Sequence, residues 1–352
     1  MNILRNNFYK TTRYLSTLNE TIITRQDYPM TKCREILDNK TIGVLGYGPQ
    51  GRGQALNLRD NGFSVSLGLR RGPSYEKALR DDWMPGENLF SVEDCVESSD
   101  IVKYLLSDAG QISVWPQIYP LLNSDKTLYF SHGFGVVYNQ LTNIVPPDMD
   151  VILVAPKGSG LTVRNKFLEG RGINSSYAIH NNFSGQAEET CKALAFGIGS
   201  GYLFETTFEK EVYSDLVGER CVLMGMIHGA FNAQYNVLRK RGHSPTEAYN
   251  ETVEEALESL FPLVSNRGMD WMFSNCSTTA QRGALDWSKK FEEVLEPVID
   301  SCYENVKNGS EARRVISSNT DSNYKEVLNK ELQEINESEL WRTAKEMRKL
   351  RV

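Results

Sequence analysis

Residues 40–53, KTIGVLGYGPQGRG, constrain this chain more than any other stretch. Thr41-Ile42-Gly43-Val44-Leu45 is a short apolar run, too short for a free-standing helix and β-branched enough for a buried parallel strand. It runs directly into Gly46-Tyr47-Gly48-Pro49-Gln50-Gly51, which fits G-x-G-x-x-G. A helical pattern follows from Gly51 to Arg59, and Asp60-Asn61-Gly62 stops it. Strand, glycine turn and helix are the context in which this motif carries meaning. The glycines allow a tight turn and close backbone approach to a pyrophosphate, and the helix N-terminus supplies free N–H groups and a positive dipole end. Gly46, Tyr47, Gly48, Gln50 and Gly51 are therefore candidate dinucleotide-binding residues. The plainer alternative is a glycine-rich turn of an ordinary α/β protein.

The next strand bears on the kind of dinucleotide. Gly62 to Leu69 alternates and ends in Arg70-Arg71-Gly72-Pro73-Ser74. An NAD site usually places an acid about 20 residues beyond the glycine turn, on the ribose 2′-OH. Here two arginines and a serine stand instead. An acid repels a 2′-phosphate, whereas arginine grips one with a forked pattern of donors. The loop predicts NADP(H), clamped by Arg70, Arg71 and Ser74, against the alternative of a solvated basic turn.

Strands alternate with helices through residue 207, which predicts a Rossmann-like parallel sheet with helices on both faces over 20–207. From Tyr213 the pattern is almost wholly helical, so an all-helical domain is expected over 208–352. Leu216 to Leu238 is apolar nearly all round and predicts a helix buried on most sides. Ser244-Pro245-Thr246-Glu247 is a capping box with proline at the first helical position. Gln111 to Leu122 is helical but contains Pro116, which suggests two short pieces.

Net charge is −6, which gives no reason to expect nucleic acid or an anionic membrane surface. No apolar run approaches the ~20 residues of a membrane span. The six cysteines lie far apart and form no C-x-x-C, as suits isolated thiols in a reducing compartment. Residues 1–19 carry Arg5, Lys10 and Arg13, several hydroxylated residues and no acid before Glu20. Such a leader is either a mitochondrial presequence or a basic tail on a cytoplasmic protein, and in both cases stands outside the expected fold.

Ligands of open α/β sheets sit beyond the carboxyl ends of the strands. Two successive strands deliver a titratable side chain there: His132 in Ser131-His132-Gly133 and Lys157 in Pro156-Lys157-Gly158. His132 suits a base or proton shuttle, and Lys157 an anion contact; each could also be an idle loop residue. Asp215 and Glu219 stand one helical turn apart, where like charges repel unless a cation lies between them. Mg²⁺ with oxygen ligands would answer that, and so would simple acid bias at a helix N-terminus. Glu251 and Glu255 repeat the spacing, but opposite an apolar stripe that favours a solvated acidic face. Ser277 taken alone reads as an N-cap or turn residue.

In this order, LGYGPQGRGQALNLRDNGF, YFSHGFG, VILVAPKGSG, EGRGINSSYAI, YSDLVGER, GHSPTEAYNETVEEA and NCSTTAQRGALDW resemble the ketol-acid reductoisomerase family, also called acetohydroxy-acid isomeroreductase. The likeness runs over most of the chain apart from the leader, and its wording is similar to the short form in the fungal and Bacteroidetes-like branch. The resemblance implies a knotted helical domain. It also implies alkyl migration followed by NADPH reduction of 2-acetolactate or 2-aceto-2-hydroxybutyrate to 2,3-dihydroxy-3-methyl acids, a step of valine and isoleucine biosynthesis. It implies two Mg²⁺ ions per site, with Asp215 and Glu219 from one copy and Glu251, Glu255 and the substrate contact Ser277 from a neighbouring copy of a homodimer or higher oligomer. His132 and Lys157 match the family's polar active-site residues. Two alternatives stand beside it: a metal-free 3-hydroxyacid-type dehydrogenase of the same fold class and, from a different class, a non-catalytic dinucleotide sensor.

Overall fold

The computed structural model describes residues 13–15 and 20–351. The leader lies outside the described residues except for Arg13–Leu15, which form a strand. The chain divides into two compact units between Val212 and Tyr213.

The first unit is built on a ten-stranded sheet. Its strands are β1 (Arg13–Leu15), β2 (Glu20–Thr24), β3 (Ile42–Leu45), β4 (Val65–Gly68), β5 (Leu89–Phe90), β6 (Ile101–Tyr104), β7 (Thr127–Phe130), β8 (Asp150–Pro156), β9 (Ser175–Asn181) and β10 (Tyr202–Glu205). The order across the sheet is β1-β2-β10-β9-β8-β7-β6-β3-β4-β5. From β5 to β8 every neighbouring pair is parallel, as the sequence predicts. Beyond β8 the sheet is mixed: β9 runs antiparallel to β8, and β2 antiparallel to β10. Burial also changes across the sheet. Every residue of β3, β4, β6 and β7 is buried, as parallel strands covered on both faces require, whereas β2 and β10 are partly exposed.

Helices cover both faces: α1 (Met30–Leu37), α2 (Pro49–Asp60), α3 (Pro73–Arg80), α4 (Val92–Glu97), α5 (Asp108–Ile118), α6 (Phe134–Val137), α7 (Asn139–Thr142), α8 (Gly160–Leu168) and α9 (Ala187–Gly197). One apolar cluster unites Leu58, Leu67, Ile152, Leu194 and Phe196; another unites Val96, Val102, Trp115, Leu128 and Leu153. Helix α5 runs through Pro116, and the break falls after Ile118 in a single 3₁₀ turn, Tyr119–Leu121.

The glycine motif does what its residue type allows. Gly46 has φ +98°, open to glycine at little cost. A Cβ on Gly51 would stand 2.2 Å from the Gly46 carbonyl oxygen, so the turn closes only without one. Farther along α2, a Cβ on Gly53 would lie 2.6 Å from the Gly160 carbonyl oxygen, and one on Gly160 would lie 2.0 Å from Pro49. Helices α2 and α8 thus touch backbone to backbone.

Helix α10 (Phe208–Arg220) contains the division between the units. The second unit continues with α11 (Gly225–Lys240), α12 (Pro245–Tyr249), two π-helical turns (Asn250–Glu254 and Ala256–Leu260), α13 (Phe261–Arg267), α14 (Met269–Ser274), α15 (Thr278–Lys307), α16 (Ser310–Thr320), α17 (Tyr324–Glu337) and α18 (Glu339–Arg348). Ser244 Oγ accepts from Glu247 N at 3.1 Å, so the predicted cap is in place. The single buried helix expected over 216–238 does not form. Turns at 221–224 divide it, and Val222, Leu223 and Met224 are exposed. Within one copy, the second unit's own core is small: Tyr235, Ala248, Tyr249, Val253, Leu340 and Ala344. Trp287, Phe291, Val294 and Val298 form an exposed apolar stripe along α15.

Candidate functional site

Strand β6 returns beside β3 on the side away from β4, so the direction of winding reverses between β3 and β6. That is where an open α/β sheet leaves a crevice at its carboxyl edge. A cavity of about 340 Å³ occurs there, lined by Gly46, Tyr47, Gly48, Arg70, Arg71 and Ser74 among others. The motif residues do not all serve it alike. Tyr47 turns its side chain into the protein, where its hydroxyl donates to Asp81 Oδ2 at 2.8 Å and accepts from Trp83 Nε1 at 2.9 Å. Its backbone is what remains for the cavity. Gln50 also turns away: its Nε2 donates to the Gly158 carbonyl oxygen at 2.9 Å. Gly51 serves by closing the turn. Arg71 lies 4.3 Å over the Tyr75 ring, which fixes its guanidinium at the edge of the cavity, and Arg70 is exposed beside it.

His132 follows β7, and Lys157 follows β8. The structure brings both to Glu211, in the first turn of α10. Lys157 Nζ lies 3.0 Å from Glu211 Oε1, and His132 Nδ1 lies 3.3 Å from Glu211 Oε2. Glu211 is 2% exposed. Burial pushes its carboxyl up, but the hydrogen bond and charge of His132, with those of Lys157, outweigh burial and hold it below its ordinary value of 4.5. Close approach of α10 depends on Gly133, where a Cβ would meet Phe208 at 2.8 Å. The His132 ring stacks on Phe134, with centroids 6.2 Å apart. Asp108, at the start of α5, is pushed up by burial and drawn back by the charge of His132. The arrangement is a buried anion that holds a lysine and an imidazole, side chains of the kinds suited to anion binding and proton transfer.

Sequence reasoning missed Glu211. The available signal was its place one turn before Asp215, in an acidic ladder at 211, 215 and 219 on one helix. Asp215 and Glu219 continue that face; Glu219 is exposed, with Arg220 Nη1 4.0 Å from its Oε2. Glu251 and Glu255 are exposed on the π-helical stretch, a distortion that often marks functional positions. Among the described residues, no cluster of three or more metal-ligating side chains from one copy includes Glu251 or Glu255. Ser277 is the N-cap of α15, accepting from Ala280 N at 3.2 Å, and is exposed.

A doubly wound sheet with a glycine-lined crevice at its winding reversal, followed by a helical unit, defines a pyridine-nucleotide-dependent oxidoreductase. Residues 36–202 match the family described as "Acetohydroxy acid isomeroreductase, NADPH-binding domain", and residues 208–352 match "Ketol-acid reductoisomerase, C-terminal domain". The chain belongs to the ketol-acid reductoisomerase family. It is 57% identical over 334 residues to "Ketol-acid reductoisomerase (NAD(+))" of Desulfosudis oleivorans, covering 94% of this chain and 95% of that one. It is 55% identical over 348 residues to "Ketol-acid reductoisomerase, mitochondrial" of Saccharomyces cerevisiae, covering 97% and 88%. A solved structure of an NADH-preferring ketol-acid reductoisomerase from an uncultured archean superposes with a TM-score of 0.82 at 33% identity, covering 94% of this chain and 99% of that one.

Proposed function

We propose that the protein is an NADPH- and Mg²⁺-dependent ketol-acid reductoisomerase acting on 2-acetolactate or 2-aceto-2-hydroxybutyrate. The observation that carries this reading is the meeting of His132 and Lys157 on buried Glu211 at the carboxyl edge of the sheet, in a chain of this family. In the reaction, the substrate hydroxyl loses its proton as an alkyl group moves, with its bonding pair, to the neighbouring carbonyl carbon. The old carbonyl oxygen gains a proton. The ketone created at the hydroxyl carbon then takes a hydride from NADPH and a further proton. His132 is suited to hold and pass those protons, since an imidazole can both take and give one and its Nδ1 lies 3.3 Å from the Glu211 carboxylate. Lys157, held by the same carboxylate, presents a cation to an anionic substrate group.

The proposed metal ligands are Asp215 and Glu219 of one copy with Glu251 and Glu255 of a second. The set fits Mg²⁺: four carboxylates, hard oxygens only, with Glu251 and Glu255 exposed on their own copy. Bound Mg²⁺ would polarise the carbonyl and lower the pKa of the hydroxyl. Ser277 of that second copy would contact substrate. The apolar stripe on α15 supports a homodimer, because four large side chains there stand in water in a single copy. Arg70, Arg71 and Ser74 at the cavity edge support NADPH. The basic leader, together with the mitochondrial relative from Saccharomyces cerevisiae, supports the mitochondrial matrix. We further take 20–207 as the NADP-binding domain and 208–352 as the helical domain.

The test follows NADPH absorbance with acetolactate, with and without Mg²⁺. Consumption that requires Mg²⁺ and stops with EDTA is expected. No consumption with both present would refute the activity, and consumption that persists in EDTA would refute the metal role.

A further inference from the structure

A chain of hydrogen bonds through one buried glutamine links the dinucleotide turn to both loops just described. Gln54, on α2, is fully buried. Its Nε2 donates to Gln50 Oε1 at 3.0 Å and to Ser131 Oγ at 2.7 Å. Its Oε1 accepts from the Tyr129 hydroxyl at 2.9 Å. Both amide hydrogens and the carbonyl of Gln54 are thereby used. Gln50 passes the chain on, because its own Nε2 donates to the Gly158 carbonyl oxygen at 2.9 Å. Ser131 is the residue before His132, and Gly158 is the residue after Lys157.

The direction of the chain is determined. A backbone carbonyl can only accept, so Gln50 must aim its nitrogen at Gly158 and its oxygen at Gln54. Gln54 must then aim nitrogen at Gln50 and oxygen at Tyr129. Flipping either amide would set like against like at the buried Gln54. Gln54, with Gln50 as its relay to Gly158, therefore couples the helix whose N-terminus faces the cavity to the ends of β7 and β8.

We propose that Gln54 is a positioning residue, which holds the His132 and Lys157 loops in register with the nucleotide turn. The proposal rests on the reading that those two residues serve the reaction. Gln54 touches neither substrate nor cofactor; it sets where the groups that do so stand. Displacement of a reacting group by about 1 Å can cost on the order of 100-fold in rate.

The test is Gln54→Leu, which keeps the bulk and removes every hydrogen bond, with Tyr129→Phe as the milder variant should the first fail to fold. At saturating acetolactate, Mg²⁺ and NADPH, kcat is expected to fall by about 10- to 100-fold, while the NADPH dissociation constant measured by fluorescence changes less than about 3-fold. Ser131→Ala combined with Gln54→Leu should add little to either alone, since both cut one chain. Hydrogen exchange supplies a readout independent of turnover. NADPH should slow exchange at 131–135 and 157–160 in the wild type, and in Gln54→Leu only around the glycine turn. Wild-type kcat in the folded variant, or unchanged exchange coupling, would overturn the positioning role while leaving the proposed activity intact. If the wild type itself turned over no acetolactate, the activity would fall, and exchange would still decide the coupling.

Discussion

Replacing Glu211 with glutamine tests the anion on which the proposed proton chemistry rests. The shape survives, but one end of the new amide must face Lys157 or His132 with N–H groups where both need an acceptor. The carboxylate's contacts are at 3.0 and 3.3 Å, and its side chain is 1% exposed. A hydrogen bond to a charged group contributes about 1.5–3 kcal/mol. Lys157 and His132 are 33% and 26% exposed, so water recovers part of what is lost, and the sum of two such bonds would overstate the effect. The range for a single bond is the better guide, about 2 kcal/mol, or ~30-fold in kcat/KM. The assay is NADPH oxidation at saturating Mg²⁺ with acetolactate varied, beside a denaturation curve to show that the variant is folded. A folded variant within about twofold of the wild type would refute the role of the anion. Stability against pH offers a second check. The Glu211 carboxyl titrates below its ordinary 4.5 in the folded chain, so its contribution is fully present above that value and is lost as pH falls through the folded pKa. Gln54 and the loops around it remain in Glu211→Gln, but this acid-side loss should disappear.

Two further outcomes are expected. Arg70→Asp combined with Arg71→Asp should raise KM for NADPH by about 10-fold or more and leave NADH much less affected, because only the former presents a 2′-phosphate; equal losses for both cofactors, from full kinetic curves, would remove the clamp. Asp215→Asn and Glu251→Gln chains should each be inactive alone, yet equal co-expression should restore about a quarter of wild-type activity, because half of the dimers would be mixed and each mixed dimer would hold one intact site of two. Activity no greater than that of either chain alone would place all four acids in a single copy.

Local features were legible in the sequence wherever the physics is local. The strand, glycine turn and helix around Gly46–Gly51 announce themselves because φ, capping and apolar run length are properties of neighbours. Glu211 stayed hidden because its partner Lys157 is 54 residues away, and only its place in the ladder with Asp215 and Glu219 sets it apart from any acid at a helix start. Tyr47 and Gln50 sit inside the motif, yet their side chains serve Asp81 and Gly158, contacts set by packing across the sheet. The run 216–238 misled for another reason. Hydropathy records that a side chain avoids water, not whether its own copy or a neighbouring one covers it, and Val222, Leu223 and Met224 stand outside this copy's core. Reversal at β9 was equally invisible, since strand direction depends on the crossover and not on the strand's own residues.

Backbone contact between α2 and α8 at Gly53 and Gly160 leaves no room for a methyl group, whereas Arg70, Arg71 and Ser74, in the arginine loop, are exposed. On the proposed reading, the seat of the nucleotide is thus welded to the frame, while its selector lies outside that joint. Swaps at residues 70–74 would then change cofactor choice without disturbing the contact that keeps the two helices together.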